Sequence, residues 1–262
     1  MDSFADPRQR IFVALDVPQL TDAVALATQL RGRVGGFKVG LELCTAAGVP
    51  AVIAALTEVI ADTPTSLFLD LKLKDIPNTV AATVRVLAQH YGQHVHWLTL
   101  HCDGGSAMLH AAATALSEVA TTQPSQPPAL RLLGVTVLTS ISPATLTEEL
   151  AIVGPLDAHV VRLARLAQQA GIAGVVASPH EIGALRQACG RELVLVTPGV
   201  RPAGAATGDQ QRVLTPAAAL AAGADYLVIG RPITAAPAAS GGAVAAVERI
   251  VAELGRPPKP TN

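Results

Sequence analysis

Short runs rich in Val, Ile and Leu alternate along this chain with longer stretches rich in Ala and Leu. The short runs predict strands over Ile11–Leu15, Gly36–Val39, Ser66–Lys72, Trp97–His101, Leu132–Val137, Gly174–Ala177, Leu193–Val196 and Tyr226–Ile229. In the stretches between them, apolar residues recur at helical spacing. These predict helices over Leu20–Arg31, Ala51–Ala61, Asn78–His90, Ser106–Ala120, Asp157–Ala170, His180–Ala188 and Thr215–Ala222. Thr215-Pro216 has the form of an N-cap followed by proline at the first helical position. Eight strand–helix alternations in about 250 residues predict an α/β fold, a (β/α)8 TIM barrel. A doubly wound open sheet is the alternative. That fold usually carries a Gly-rich turn after its first strand, whereas here the strand runs into Asp16-Val17-Pro18. No composition break divides the chain, so residues 1–262 read as a single domain, with 1–9 and 256–262 as flexible termini. Thr121–Pro128 is polar and Pro-rich and reads as an exposed loop.

The third predicted strand departs from this apolar pattern. Residues 69–75 read Leu-Asp-Leu-Lys-Leu-Lys-Asp. Alternation puts Leu69, Leu71 and Leu73 on one face and Asp70, Lys72 and Lys74 on the other. Both faces of a parallel barrel strand are buried, and a buried charge is costly unless paired. Only 15% of the chain is charged, so this strand marks a site. In a TIM barrel the site lies at the C-terminal strand ends. There the sequence places Asp16 after the first strand, Lys38 on the second, and Asp70, Lys72 and Asp75 on and after the third. Thr139-Ser140 follow the fifth, Arg201 the seventh, and Gly230-Arg231-Pro232 the eighth. Each has a plainer reading. Asp16, Asp75, Thr139 and Ser140 fit helix caps, Lys38 fits a snorkelling chain, and the arginines fit solvated loops. Their recurrence at one rim favours the site.

Loops after strands seven and eight of this fold often hold phosphate. Gly230 would let backbone approach an anion, Arg231 would offer a forked donor and Arg201 a second cation. Ala203–Gln211 is rich in Gly and Ala and reads as a lid, with Gln210 as its polar contact. These features imply a phosphorylated small molecule as substrate.

Composition narrows the remaining classes. A formal net charge of −1 gives no broad attraction to nucleic acid or anionic membrane, and 3% aromatic residues are too few for a base-stacking surface. No apolar run reaches the roughly 18 residues of a membrane span. Met1–Arg10 lacks the apolar core of a signal peptide. Cys44, Cys102 and Cys189 are scattered without metal-type spacing, as in a reducing cytosol. The expectation is a cytoplasmic, soluble protein. Cys102, near the end of the fourth strand, is a structural thiol in this reading, with a reactive thiol as the alternative.

Together the motifs closely resemble the orotidine 5′-phosphate decarboxylase family, over nearly the whole chain. The resemblance rests on Ala14-Leu15-Asp16, Phe37-Lys38-Val39-Gly40 and Asp70-Leu71-Lys72-Leu73-Lys74-Asp75-Ile76-Pro77-Asn78-Thr79. It continues in Val135-Thr136-Val137-Leu138-Thr139-Ser140, Pro198-Gly199-Val200-Arg201-Pro202, Gly208-Asp209-Gln210 and Val228-Ile229-Gly230-Arg231-Pro232. The Asp-x-Lys-x-x-Asp-Ile-Pro-Asn-Thr run is the specific one. The resemblance implies conversion of orotidine 5′-phosphate to UMP and CO2, without metal or organic cofactor. It implies a Lys38–Asp70–Lys72–Asp75 network in which Lys72 protonates C6 and Asp70 lies beside the substrate carboxylate. Lys38 and Asp16 would hold the ribose, with Asp75 and Thr79 reaching it from the second subunit of a homodimer. Thr139 would meet the pyrimidine edge, and Gln210, Arg201, Gly230 and Arg231 the phosphate. Lys74 receives no role, His101 is an alternative base, and Asp103 reads as a helix cap. Two rivals remain. One is a metal-dependent relative, a 3-keto-gulonate-phosphate decarboxylase or hexulose-phosphate synthase, which places an acidic ligand where this chain has Lys38. The other is a non-catalytic phosphate-binding barrel.

Overall fold

Eight parallel strands pair in chain order and close on themselves. They are β1 (Ile11–Ala14), β2 (Gly36–Gly40), β3 (Ser66–Leu73), β4 (Val95–His101), β5 (Arg131–Val135), β6 (Gly174–Val176), β7 (Val194–Thr197) and β8 (Tyr226–Ile229). The computed structural model describes residues 6–202 and 214–255. Closure comes from β1, which pairs β2 on one side (Phe12 with Gly36) and β8 on the other (Phe12 with Val228). This is the (β/α)8 barrel that the alternation predicts, and the open sheet is excluded.

Alternate strand residues point in and out of the barrel. Ile11, Val13, Phe37, Val39, Leu67, Leu69 and Leu98 join the main core beneath the helices. Phe12, Phe68, Trp97, Leu133, Val196 and Val228 instead form a separate cluster, with Tyr226 packed on it. Phe12 meets Phe68 at 5.7 Å and Tyr226 at 5.4 Å between ring centroids, and Trp97 meets Tyr226 at 5.8 Å, all edge to face with interplanar angles of 87°, 72° and 64°. The chain has few aromatic residues, and it spends four of them as a plug below the strand ends. Gly36 makes room for this plug, since a Cβ there would strike the Phe12 ring. The Arg131 guanidinium lies 5.7 Å from the Trp97 ring centroid, where β5 begins.

Element bounds shift from expectation in places. β5 ends at Val135 rather than Val137, where Thr136 turns its hydroxyl to the Val176 carbonyl at 3.0 Å. β7 runs one residue later than predicted. The helix predicted at Ala51–Ala61 is Val49–Ile60, preceded by a second helix, Leu41–Ala47, that the sequence reading does not name. Gly48, at φ 82°, separates the two. A final helix, Gly242–Leu254, was also unnamed. The helix Ser106–Thr122 runs into the stretch expected as loop, and Gln93 then ties residues 126 and 127 through their carbonyls. Thr215 caps the helix Pro216–Ala222 as predicted, accepting from the Ala218 N–H at 3.2 Å. Pro7–Arg10 form a 3-10 turn that begins inside the stretch 1–9 expected as a flexible terminus, and Arg8 bridges to Glu248 at 2.9 Å. Among the described residues no single helix is long and apolar enough to cross a membrane.

Candidate active site

A cavity of about 400 Å3 opens at the C-terminal strand ends, above the aromatic plug. Asp16, Lys38, Asp70, Lys72, Thr139, Arg201, Gly230 and Arg231 line it, with Phe68, Val135, Val137, Leu138 and Pro198 among its apolar walls. The structure therefore brings together the predicted rim residues of six different strands or their following loops.

Asp70 is the hub. It is inward-facing on β3 and only 7% exposed. One carboxylate oxygen, Oδ2, accepts from Lys72 Nζ at 2.8 Å and lies 3.4 Å from Lys38 Nζ. The other, Oδ1, accepts from the Thr99 hydroxyl at 2.8 Å. Lys38 is 8% exposed and also donates to Asp16 Oδ1 at 3.0 Å. Asp16 sits at the open mouth and does not cap the first helix, whose N-cap is Gln19. Gly40 lies beside this pair, where a Cβ would stand 3.3 Å from Lys38 Nζ.

Burial and pairing oppose each other in both groups. Burial alone would lower the Lys38 pKa, but the Asp70 and Asp16 carboxylates outweigh it and leave it above the usual lysine value. Burial alone would raise the Asp70 pKa, but Lys38, Lys72 and the Thr99 hydrogen bond leave it below the usual carboxylate value. The cavity floor thus holds an ionised carboxylate between two ammonium groups.

Simple alternation fails just where the chemistry begins. Leu69 pairs Leu98 and Leu73 pairs Leu100, so β3 carries extra residues opposite Thr99. Lys72 takes a left-handed backbone, φ 51°, uncommon for a residue other than glycine. Its N–H donates to Thr99 Oγ1 at 2.9 Å. Sequence reasoning missed Thr99, whose hydroxyl meets both the Lys72 N–H and the Asp70 carboxylate. Its signal was present, because it alternates with Trp97 and His101, but threonine in a strand reads as a strand former. Thr234, also on the cavity wall, was missed as well.

Other predicted residues lie elsewhere. Asp75 and Thr79 are exposed and do not line this chain's cavity. Asp75 accepts from the Ile76 N–H at 2.7 Å and does not cap the helix Pro77–Tyr91 through its side chain. Gln210 and the expected lid at Ala203–Gln211, with Gly208 and Asp209, lie outside the described residues. The chain flanking them is pinned, since the Arg201 N–H donates to the Leu214 carbonyl at 2.9 Å. Gly230 precedes a short helix, Arg231–Thr234, and its carbonyl accepts from Ile233 and Thr234.

Three residues around the fourth strand lie as follows. Asp103 does not cap the following helix but takes Lys74 Nζ at 2.7 Å, a half-exposed pair of small energetic weight. Cys102 is fully buried and burial pushes its thiol up to about 12, both of which favour the structural reading. His101 lies outside the cavity lining; burial lowers its pKa, and Asp103, 3.6 Å away, opposes that shift.

Residues 9–247 match the family described as orotidine 5′-phosphate decarboxylase / HUMPS. The chain is 49% identical over 247 residues to an orotidine 5′-phosphate decarboxylase of Moorella thermoacetica, covering 94% of this chain and 92% of that protein. It is 49% identical over 245 residues to the protein of the same name from Synechocystis, covering 94% and 97%. Among solved structures it resembles orotidine 5′-phosphate decarboxylase from Lactobacillus acidophilus, with a TM-score of 0.77, 34% identity, and coverage of 94% of this chain and 99% of that one.

Proposed function

The chain belongs to the orotidine 5′-phosphate decarboxylase / HUMPS family, and from that membership we propose that it converts orotidine 5′-phosphate to UMP and CO2, with Lys72 as the proton donor to C6. It is a decarboxylase of pyrimidine biosynthesis. The observation that carries the proposal is the Lys72 ammonium held at 2.8 Å from Asp70 on the floor of a partly apolar cavity.

When the C6–carboxylate bond breaks, its electron pair stays on C6 in an orbital that the pyrimidine ring does not delocalise. A fixed ammonium beside that carbon stabilises the charge as it forms. It then passes one proton from Nζ to C6, and solvent reprotonates the amine. Asp70 aims Lys72 through the contact at 2.8 Å. Lys38 and Asp16 are assigned to the ribose hydroxyls and Thr139 to the pyrimidine edge, which their shared place on the cavity lining supports. Arg201, Arg231 and the Gly230 backbone, which line the cavity, are assigned to the 5′-phosphate, and the family motif adds Gln210 to that role. Phosphate binding far from C6 supplies energy to organise the charged floor.

Asp75 and Thr79 are assigned to the cavity of a second copy. Their exposure supports this, as do two large apolar side chains on the same rim, Leu41 at 56% and Ile76 at 66% exposed. A cytoplasmic location suits three cysteines that are all free and buried.

The test is a spectrophotometric assay with orotidine 5′-phosphate, with and without exhaustive chelation. Equal CO2 release in both is expected. Loss of turnover on chelation would point to the metal-dependent branch, against which Lys38 already stands as a cation between Asp16 and Asp70. Tight UMP binding without CO2 release would make the chain a phosphate-binding protein.

A further inference from the structure

We infer that Thr99 is a positioning residue for the decarboxylation, setting the geometry of both Asp70 and Lys72 through a single hydroxyl. The inference rests on the reading of Lys72 as proton donor. Thr99 is fully buried and does not line the cavity, so it acts only through its neighbours.

Its hydroxyl accepts from the Lys72 backbone N–H at 2.9 Å and donates to Asp70 Oδ1 at 2.8 Å. The acceptor role fills a gap in the sheet. The shift between Leu69 and Leu73 takes β3 out of step with β4, and the Lys72 N–H finds the Thr99 side chain instead of a strand carbonyl. An unpaired buried N–H is unfavourable, so this bond helps to hold Lys72 in its left-handed conformation. The donor role sets the carboxylate's rotation. With Oδ1 engaged by Thr99, Oδ2 is left to face Lys72 and Lys38 together. One hydroxyl thus couples the backbone that carries the ammonium to the carboxylate that aims it. Valine has nearly the same shape but neither bond, and serine has both bonds without the methyl group.

The experiment compares wild type with Thr99→Val and Thr99→Ser, reading kcat, KM for orotidine 5′-phosphate and hydrogen exchange at the Lys72 amide. Small misplacement of a reacting group costs about 100-fold in rate. The Val variant is therefore expected to lose about 10- to 100-fold in kcat, with KM within about 3-fold, and to exchange the Lys72 amide at least about 10-fold faster. The Ser variant should remain within about 3-fold of wild type in all three. Faster exchange with unchanged kcat would make Thr99 merely structural and overturn the inference. Unchanged exchange would overturn it whether or not the chain turns over this substrate, so it can fail independently of the proposed function. If the Val variant does not fold, Thr99→Cys replaces it, because a thiol is a weak donor and acceptor. Cys and Ser variants of equal kcat would then sink the proposal, and a Cys variant at least about 10-fold slower would uphold it.

Discussion

Asp70 has two carboxylate oxygens and three side-chain partners, so its charge state and its orientation are fixed together. Two predictions follow from this one residue and its neighbours. Replacing Lys72 with alanine should cut turnover by at least about 10³-fold, because both charge stabilisation and the proton are lost. UMP affinity should stay within about 10-fold, since phosphate contacts carry it. Near-normal turnover would overturn the mechanism. The second prediction concerns pH. Asp70 lies below its ordinary value of 3.8, so its contribution to stability is complete above that value and drains away as pH falls through the lower folded one. Lys38 lies above its ordinary value of 10.5, so its contribution is complete below 10.5 and is lost as pH climbs past the folded value. Urea midpoints should therefore fall below about pH 4, and Asp70→Asn should flatten that acid limb. An acid limb of equal depth in the variant would assign it to other carboxylates. At this scale the charged residues were legible because charge on a doubly buried strand demands an explanation. Thr99 was not, because a neutral hydroxyl in an apolar run demands none.

At the level of elements, the same barrel has a working end and a holding end. Arg186, on the helix Ile182–Cys189, reaches the start of the last two strands. It donates to the carbonyls of Gly190, Leu193 and Gly223 and to Asp225 Oδ2, which also accepts from the Leu195 N–H at 2.7 Å. These partners precede or begin β7 and β8, opposite the cavity. Arg186→Ala should therefore cost about 2–4 kcal/mol in urea unfolding while leaving kcat/KM of the folded enzyme within about 2-fold. A large kcat/KM loss would show that the two ends are coupled. The helices and strands themselves were readable from periodicity, most clearly where a capping pair such as Thr215-Pro216 marked a start. Periodicity failed where conformation overrode it: at Gly48, which divides one apolar stretch into two helices, and at Lys72, where β3 leaves its alternation.

Over the whole molecule, strand count and order were legible because each strand–helix pair repeats the same signal. Closure followed from that count and from the missing Gly-rich turn after β1, and no local pattern shows it, since it depends on β1 meeting β8 across most of the chain's length. Nor does one chain's cavity use every residue of the specific motif. Asp75 and Thr79 belong to that motif but remain outside. If a second copy supplies them, mixing inactive Lys72→Ala and Asp75→Ala chains should restore up to about a quarter of wild-type activity per site, because one of the two mixed sites is then intact. No recovery after confirmed subunit exchange would mean that each site is built from one chain. The aromatic plug has a consequence of a different kind. Trp97 is the chain's single tryptophan, and it is 5% exposed inside the barrel, between Tyr226 and Arg131. Its ultraviolet emission is therefore an optical signal from one known depth, a layer beneath the chemistry. A red shift would report water entering the barrel itself, so the opening of the scaffold and the events at its rim can be followed in the same sample as separate traces.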